Sequence, residues 1–323
     1  MKMLFCADVR LGAICTENLS VEQSHKWKAS RAKKLADLID KAAQEHAVYV
    51  ALFGQLFGND RISESVIDGL FQAIKEDAGI QTLAFLQADE YKRITYRNDI
   101  PQNFHLFCLD KQETYVDDNI ALRIIQGKTE LQLADNKALL IQKNEDGKFV
   151  ISGLSKKHVF LSFEPIGFED AAAMTCGYGV LEWADDKIGQ YVAKKDQTFA
   201  YQSIELKIMP EDDQKEILRK INNAVRKIDV DTFLRIAIIG RSAFGLTINS
   251  DALKEQLQKR IFYVEVYDNT VMDIDEDAFE NDISLRSEFV RLALQDASLS
   301  ESERNRLISC GWKALHGGEV AAE

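Results

Sequence analysis

The first ninety residues alternate apolar segments with segments of helical period, and this alternation restricts the fold more than any other feature. The apolar runs are 1–7, 48–54 and 82–88, and the segments between them, 25–46 and 63–79, carry apolar residues at helical spacing. Strands that alternate with helices in this way predict a mostly parallel sheet with helices on both faces. The polar residues that follow these strands should therefore meet at one edge of the sheet.

The pattern changes after about residue 120. Residues 120–205 read as short strands separated by turn signals, which predicts a second sheet layer. Beyond Pro210, helical and strand patterns alternate again, and the last part carries two helical segments. The sequence therefore predicts a mixed α/β (α+β) chain in three parts, at 1–200, 201–270 and 271–323.

Charge and hydropathy limit the possible functions. The net charge of -12 at pH 7 argues against a protein that binds nucleic acid through its overall electrostatics. One helix carries a basic cluster that we interpret as its solvated face, with a local anion-binding patch as the alternative: Lys26, Lys28, Arg31, Lys33 and Lys34. No apolar run approaches the roughly 20 residues that cross a bilayer, which predicts a cytoplasmic protein without a membrane partner.

The segments that follow the first three strands carry the most specific signal. They read Ala7-Asp8-Val9-Arg10-Leu11-Gly12, Gly54-Gln55-Leu56-Phe57 and Gln87-Ala88-Asp89-Glu90-Tyr91. They resemble the ADxHLG, GDLF and GNHDY motifs of calcineurin-like metallophosphoesterases, and within that family the SbcD-type exonuclease subunits. Further segments resemble later family motifs, so that the resemblance covers nearly the whole chain: 139–142, 151–157, 177–182, 198–199, 234–240 and 284–289.

The resemblance implies a two-sheet sandwich flanked by helices, with a small α/β capping domain and C-terminal helices. Family members hold two divalent cations in their active sites. The resemblance assigns these positions to Asp8, Arg10, Gln55, Ala88, Asp89, Gln142, Leu154 and Lys156. Only Asp8 retains a ligand type, and Arg10 and Lys156 would place positive charge where cations bind. We therefore expect no metal cofactor, and an ion pair between Asp8 and Arg10.

The leading hypothesis is a catalytically inactive SbcD-like protein that acts as a structural or regulatory partner of an SbcC-type coiled-coil ATPase in DNA repair. It would contact DNA through that complex, and a homodimer is a further alternative. In related complexes a C-terminal helical element docks on the ATPase, which makes Leu285, Phe289 and Leu292 the docking candidates. Packing within the chain explains these three residues equally well.

An active nuclease or phosphodiesterase with a rearranged site is the first alternative. It would use Asp8, Asp89, Glu90 and His158 with Mn²⁺ or Mg²⁺. The simpler interpretation places Asp89 and Glu90 in a loop and gives His158, like His105, a structural role. Five scattered cysteines without a CxxC pair offer no zinc site in place of the lost ligands.

A stand-alone module that binds DNA or a small anion is the second alternative. It would use Arg10, Lys156 and Lys157 as an anion cradle in place of the cations. This function predicts strongly salt-dependent binding, because counterions are released when phosphates are neutralised.

Overall fold

The structure, a computed structural model, describes residues 1–58, 63–125, 127–133, 137–154, 157–163, 165–173, 175–184, 187–246, 248–274 and 283–315. The chain divides into two compact units, Met1–Thr198 and Phe199–Glu323. Both are mixed α/β, as the sequence predicts. Among the described helices, none is long and apolar enough to cross a membrane.

Two six-stranded sheets form the first unit. Its described elements, in chain order, are β1 (Lys2–Ala7), α1 (Val21–Gln44), β2 (Tyr49–Phe53), α2 (Glu64–Glu76), β3 (Gln81–Leu86), α3 (Ala88–Thr95), β4 (Phe104–Cys108), β5 (Glu113–Val116), β6 (Ile120–Ile125), β7 (Lys128–Leu133), β8 (Lys137–Lys143), β9 (Phe149–Ser152), β10 (His158–Val159), α4 (Phe168–Ala173), β11 (Gly177–Ala184) and β12 (Lys187–Lys195). The first sheet has the order β12-β11-β1-β2-β3-β4, with β1 to β4 parallel and β11 antiparallel to β1. The second has the order β10-β9-β8-β7-β6-β5, and its pairings are antiparallel.

Separate apolar cores cover the two faces of the first sheet. On β1, Leu4 and Cys6 belong to a cluster that includes buried apolar residues of α1 and α2, such as Leu35 and Leu70. Met3 and Phe5, which alternate with them, pack with the inward side chains of the second sheet. The prediction of helices on both faces is therefore wrong for this second face. The antiparallel strands β5 to β10 cover it instead, because the apolar residues that alternate along these strands must be buried against another surface.

Strand β11 lies in the first sheet, whereas the sequence placed it in the second layer. Its residues Val180 and Leu181 pair with Leu4 and Met3 of β1. Five consecutive residues of β11 are buried, a pattern typical of a strand covered on both faces. The next strand of the predicted second layer, over 200–208, belongs to the second unit.

Helix α1 begins at a capping box, in which Ser20 and Gln23 each accept a hydrogen bond from the other's backbone amide, at 3.2 and 2.9 Å. Its buried face comprises Trp27, Arg31, Lys34, Leu35, Leu38, Ile39 and Ala42. The solvated face predicted for the basic cluster is therefore wrong for Arg31 and Lys34, whose side chains lie on the apolar stripe. The other three members of the cluster are exposed.

The second unit is a parallel three-stranded sheet with a helical hairpin. Its described elements are β13 (Ala200–Ile208), α5 (Gln214–Val225), β14 (Thr232–Ser242), α6 (Ser250–Gln258), β15 (Tyr263–Met272), α7 (Leu285–Gln295) and α8 (Glu301–Leu315). Strand β14 is central, and the apolar residues of α5 and α6 pack on one face of the sheet. Helices α7 and α8 enclose Val290 and Ile308, and the Trp312 ring lies 4.3 Å from that of Phe244.

Candidate functional site

The loops after β1 and β2 run side by side at the carboxyl edge of the first sheet. The amides of residues 10–12 donate to the carbonyls of residues 55–57 over 2.9–3.0 Å. Asp8 and Arg10 have φ values of 48° and 51°, a left-handed conformation that is costly for residues other than glycine. The backbone at this edge is therefore strained, and contacts between the two loops hold it in place. Strained residues of this kind are common at ligand-binding sites.

Asp8 is half-buried at the end of β1. Its Oδ1 accepts a hydrogen bond from the backbone amide of Gln55 at 3.0 Å. A Cβ placed on Gly54 would stand 2.4 Å from that oxygen, so only glycine leaves room for the carboxylate here. The side chain of Gln55 is exposed. The carboxylate of Asp8 therefore ties the two loops together.

Arg10 pairs with Asp170 of α4, so the expected ion pair with Asp8 is wrong. The Arg10 Nη1 lies 2.8 Å from the Asp170 Oδ2, and both side chains are partly buried, with 18% and 25% of their surface exposed. The same oxygen accepts from the amide of Ile166 at 3.1 Å, which fixes it within reach of Arg10. The Asp8 carboxylate is instead directed at Gln55. Asp170 follows Arg10 by 160 residues, and no local sequence pattern marks it.

Arg31 fastens the same loop from inside the protein. Only 1% of Arg31 is exposed, and its Nη2 donates to the carbonyls of Val9 and Arg10 at 2.7 and 2.8 Å. Its Nη1 lies 3.4 Å from the carbonyl of Pro165, in the segment that leads to α4. Charge-assisted hydrogen bonds of this kind are about twice as strong as neutral ones. One guanidinium thus joins the loop after β1 to the segment that carries Asp170.

Lys34, the second buried member of the basic cluster, has a separate structural partner. Its Nζ lies 2.8 Å from the Asp196 Oδ1, and Lys41 binds the other oxygen of that carboxylate. Burial acts to raise the pKa of Asp196, but the hydrogen bonds from the two lysines outweigh it and the pKa is lowered. This network lies directly after β12, the last strand of the first unit.

Asp89 and Glu90 lie in the first turn of α3, so their expected placement in a loop is wrong. Glu90 accepts three backbone hydrogen bonds from the amides of residues 56–58, at 2.9, 2.9 and 3.3 Å. Asp89 is exposed, and the amide of Ala88 donates to Asp110 at 3.1 Å. Glu90 therefore holds the loop after β2 by filling a concave group of amides, an arrangement suited to an anion.

The structure does not bring Gln142 and Leu154 together. Gln142 lies near the end of β8, whereas Leu154 follows Gly153, which packs against the beginning of that strand. Because β8 and β9 are antiparallel, Leu154 lies about four residues along the strand direction from Gln142, or roughly 13 Å away. Leu154 packs against the core between the sheets. Lys157 is exposed, and Lys156 lies outside the described residues.

The histidines considered as ligands have packing roles. The His158 ring lies 4.7 Å from the Tyr191 ring, and a ring nitrogen of His105 hydrogen-bonds the Gln81 side chain at 2.8 Å. Burial lowers the pKa of His105, which favours the neutral form. Within the described part of the chain, no group of three or more His, Cys, Asp or Glu residues is placed to hold a metal ion.

Two of the three docking candidates in the second unit lie at the surface. Leu285 is 74% exposed and Leu292 is 59% exposed. Phe289 is half-buried and packs within the hairpin, since a Cβ on Gly311 would stand 2.2 Å from its ring. Only the two leucines are therefore available to a partner.

No protein-family model matches this chain, and no curated protein matches it. Chemically, the carboxyl edge of the first sheet offers carboxylates that already accept hydrogen bonds from the protein. Asp8 binds the amide of Gln55, Asp170 binds Arg10, and Glu90 binds residues 56–58. These contacts hold loops in place, and a nucleophile with an adjacent base is not among them.

Proposed function

We propose that the chain is a catalytically inactive, SbcD-like homologue of the calcineurin-like metallophosphoesterases, and that it serves as a structural or regulatory partner of an SbcC-type coiled-coil ATPase in DNA repair. Its sheets, small α/β unit and helical hairpin are compatible with the architecture of that family. The observation that carries the proposal is the ion pair between Arg10 and Asp170.

This ion pair bears on catalysis because hydrolysis by the family requires two cations at the strand ends. The Arg10 guanidinium carries a positive charge, which opposes a divalent cation beside Asp8. The ion pair with Asp170 stabilises the guanidinium charge at this position in the fold. A family site that keeps only one metal-ligand type, Asp8, and is closed by protein contacts fits a binding partner better than a hydrolase.

The first test measures metal-dependent hydrolysis by the purified chain. We expect the chain, incubated with Mn²⁺ or Mg²⁺, to cleave bis(4-nitrophenyl) phosphate and linear duplex DNA no faster than its Asp8→Ala variant. Asp8 is the right control because it alone retains a ligand type. A Mn²⁺-dependent rate that disappears in Asp8→Ala would overturn the proposal and favour the active alternative.

The second test concerns the partner surface on α7. Leu285 and Leu292 are seven residues apart and so share a helix face. Replacing both by glutamate should weaken binding to a purified SbcC-type ATPase at least about tenfold, measured by surface plasmon resonance. The matched control is Val116→Glu with Val230→Glu, two valines that are 74% and 52% exposed elsewhere. Equal losses in both double variants, or no binding by the unmodified chain, would reject this partner surface.

A further inference from the structure

A groove of about 680 Å³ runs between α1 and α2 on the helical face of the first sheet. Its volume lies within the range of small-molecule sites. Leu35 of α1 and Leu70 of α2, both buried, form its floor, and Ile14 of the loop after β1 lines one side. Neither member of the ion pair between Arg10 and Asp170 lines this groove. It is therefore a mostly apolar cavity, separate from the site described above.

The two helices run in the same direction along the groove. Strands β1, β2 and β3 are parallel, so each helix that connects two of them must run back antiparallel to the strands. Lys28 lies seven residues before Leu35, and Ser63, the N-cap of α2, lies seven residues before Leu70. Seven residues span about two helical turns, or roughly 10 Å. Lys28 and Ser63 thus line one end of the groove, and the two leucines line the other.

Small residues leave the groove open. Ala29 and Ala32 line it from α1, and Gly69 lines it from α2. A Cβ on Gly69 would meet nothing within 4 Å, so no close packing requires a glycine there. Glycine within a helix is destabilising relative to alanine, and its effect here is to leave space. Beside this space Ile14 is 68% exposed, which is apolar surface that a ligand in the groove would cover.

The polar end of the groove offers a positive charge and hydroxyl groups. Lys28 is exposed, and among the described residues it forms no ion pair with a carboxylate. The Ser63 Oγ lies 2.9 Å from the Ser65 Oγ and makes no capping hydrogen bond to α2. Because only one of the two hydroxyls donates within this pair, the other hydroxyl hydrogen can bind an anionic oxygen.

The carboxylates on α2 lie on the opposite side of that helix. Glu64 and Asp68 are four residues apart and both bind Arg97, the second at 2.7 Å. Val66, which lines the groove, follows Glu64 by two residues and so lies about 200° from it around the helix axis. Among the described residues that line the groove, Lys28 alone carries a charge. The groove therefore combines one positive end with an apolar body.

We propose that this groove binds an aliphatic carboxylate, such as a free fatty acid. Its carboxylate group contacts Lys28 and Ser63, and its alkyl chain lies between α1 and α2 toward Leu35 and Leu70. One ammonium group matches the single charge of a carboxylate, and the apolar length of roughly 10 Å matches an alkyl chain. The site goes beyond the proposed function, and it holds whether or not the chain binds an ATPase or DNA.

Calorimetric titration of the purified chain tests the groove with hexanoate, octanoate and decanoate. The Kd should fall about tenfold with each step of two CH₂ groups, because each buried CH₂ group adds a similar increment of binding free energy. Octyltrimethylammonium, which has an alkyl chain of similar length and the opposite charge, should bind at least about tenfold more weakly than octanoate. Absence of binding, equal binding of the three carboxylates, or equal binding of octanoate and the ammonium ion would overturn the proposal.

A substitution at the polar end tests where the carboxylate group binds. Lys28→Gln should weaken decanoate binding about fivefold, because it removes one partly screened charge contact. The same variant should bind 1-octanol, which carries no charge, as the unmodified chain does. The matched control is Lys33→Gln, which removes an exposed lysine of the same helix outside the groove. Equal effects of the two substitutions on decanoate would overturn the assignment of the carboxylate to Lys28.

A substitution in the apolar body tests where the alkyl chain binds. Gly69→Leu should fill the groove and weaken decanoate binding at least about tenfold, because several CH₂ groups lose their place. Leucine favours helix more than glycine does, so α2 should stay folded, as thermal unfolding followed by circular dichroism checks. Gln72→Leu is the matched control, since it adds the same side chain at an exposed position of α2 outside the groove. Equal losses in Gly69→Leu and Gln72→Leu would overturn the proposal.

Discussion

Replacing Gly54 by alanine should lower the free energy of unfolding by about 3–5 kcal/mol, since the change combines a strained backbone with crowding. Gly54 has a φ of +86°, in the left-handed region that an alanine adopts only at a cost. Its added Cβ would stand 2.4 Å from the Asp8 Oδ1 and 3.0 Å from the buried Phe149 ring. Neither neighbour can move freely, because Asp8 is bound to Gln55 and Phe149 lies in the core. Urea unfolding, followed by tryptophan fluorescence, to which the buried Trp27 and Trp183 of the first unit contribute, measures the loss.

Gly127→Ala is the matched control for this change. Gly127 has a φ of +75°, but nothing lies within 4 Å of its Cβ position. Its replacement should cost only the backbone strain of about 1–2 kcal/mol. In the double variant Gly54→Ala with Asp8→Ala, the closest contact is gone, and a coupling of about 1 kcal/mol or more should appear. Equal losses for Gly54→Ala and Gly127→Ala would show that Asp8 does not press on the loop after β2.

The first five elements of the first unit were predictable because their signals are local. Apolar runs and helical spacing place β1, α1, β2, α2 and β3 within a few residues of their observed bounds. The strand order then brings the loops after β1 and β2 to one edge. The second sheet was harder to assign, because the apolar run over 177–184 suits either sheet and only its pairing with β1 decides.

The partners at the candidate site could not be predicted from the sequence. Arg10 lies only two residues after Asp8 in the sequence but pairs with Asp170, and the contact depends on how the segment before α4 crosses the end of β1. Glu90 was assigned to a loop, since the strand before it gives no indication that a helix begins at Ala88. Contacts between distant segments decide both cases, and short-range patterns do not encode them.

The burial of Arg31, by contrast, could have been predicted. The apolar stripe of α1 includes Leu35 and Leu38, and stepping back four and eight residues from Leu35 reaches Arg31 and Trp27. Lys34 lies four residues before Leu38 and falls on the same stripe. The interpretation of this helix relied on the basic type of these residues and not on their positions along the helix. Arginine and lysine are nevertheless buried where they have partners.

Arg31→Met should lower the free energy of unfolding by about 3–5 kcal/mol, because it removes buried charge-assisted hydrogen bonds while keeping most of the side-chain volume. The carbonyls of Val9 and Pro165, both in buried residues, would then face a thioether. The contact of the guanidinium with the Trp27 ring, 4.9 Å from its centre, would also be lost. Urea unfolding monitored by circular dichroism measures this loss.

Lys33→Met is the matched control, since Lys33 lies on the exposed face of the same helix and its replacement should change stability by about 0.5 kcal/mol or less. Amide hydrogen exchange then separates loop fastening from general loss of stability. If Arg31 holds the loop after β1, the amides of residues 11–12, which bond to the carbonyls of residues 56–57, should exchange faster in Arg31→Met even where global unfolding is negligible. Exchange at these amides that rises only in step with the whole first unit would show that Arg31 stabilises the core without positioning the loop that carries Asp8 and Arg10.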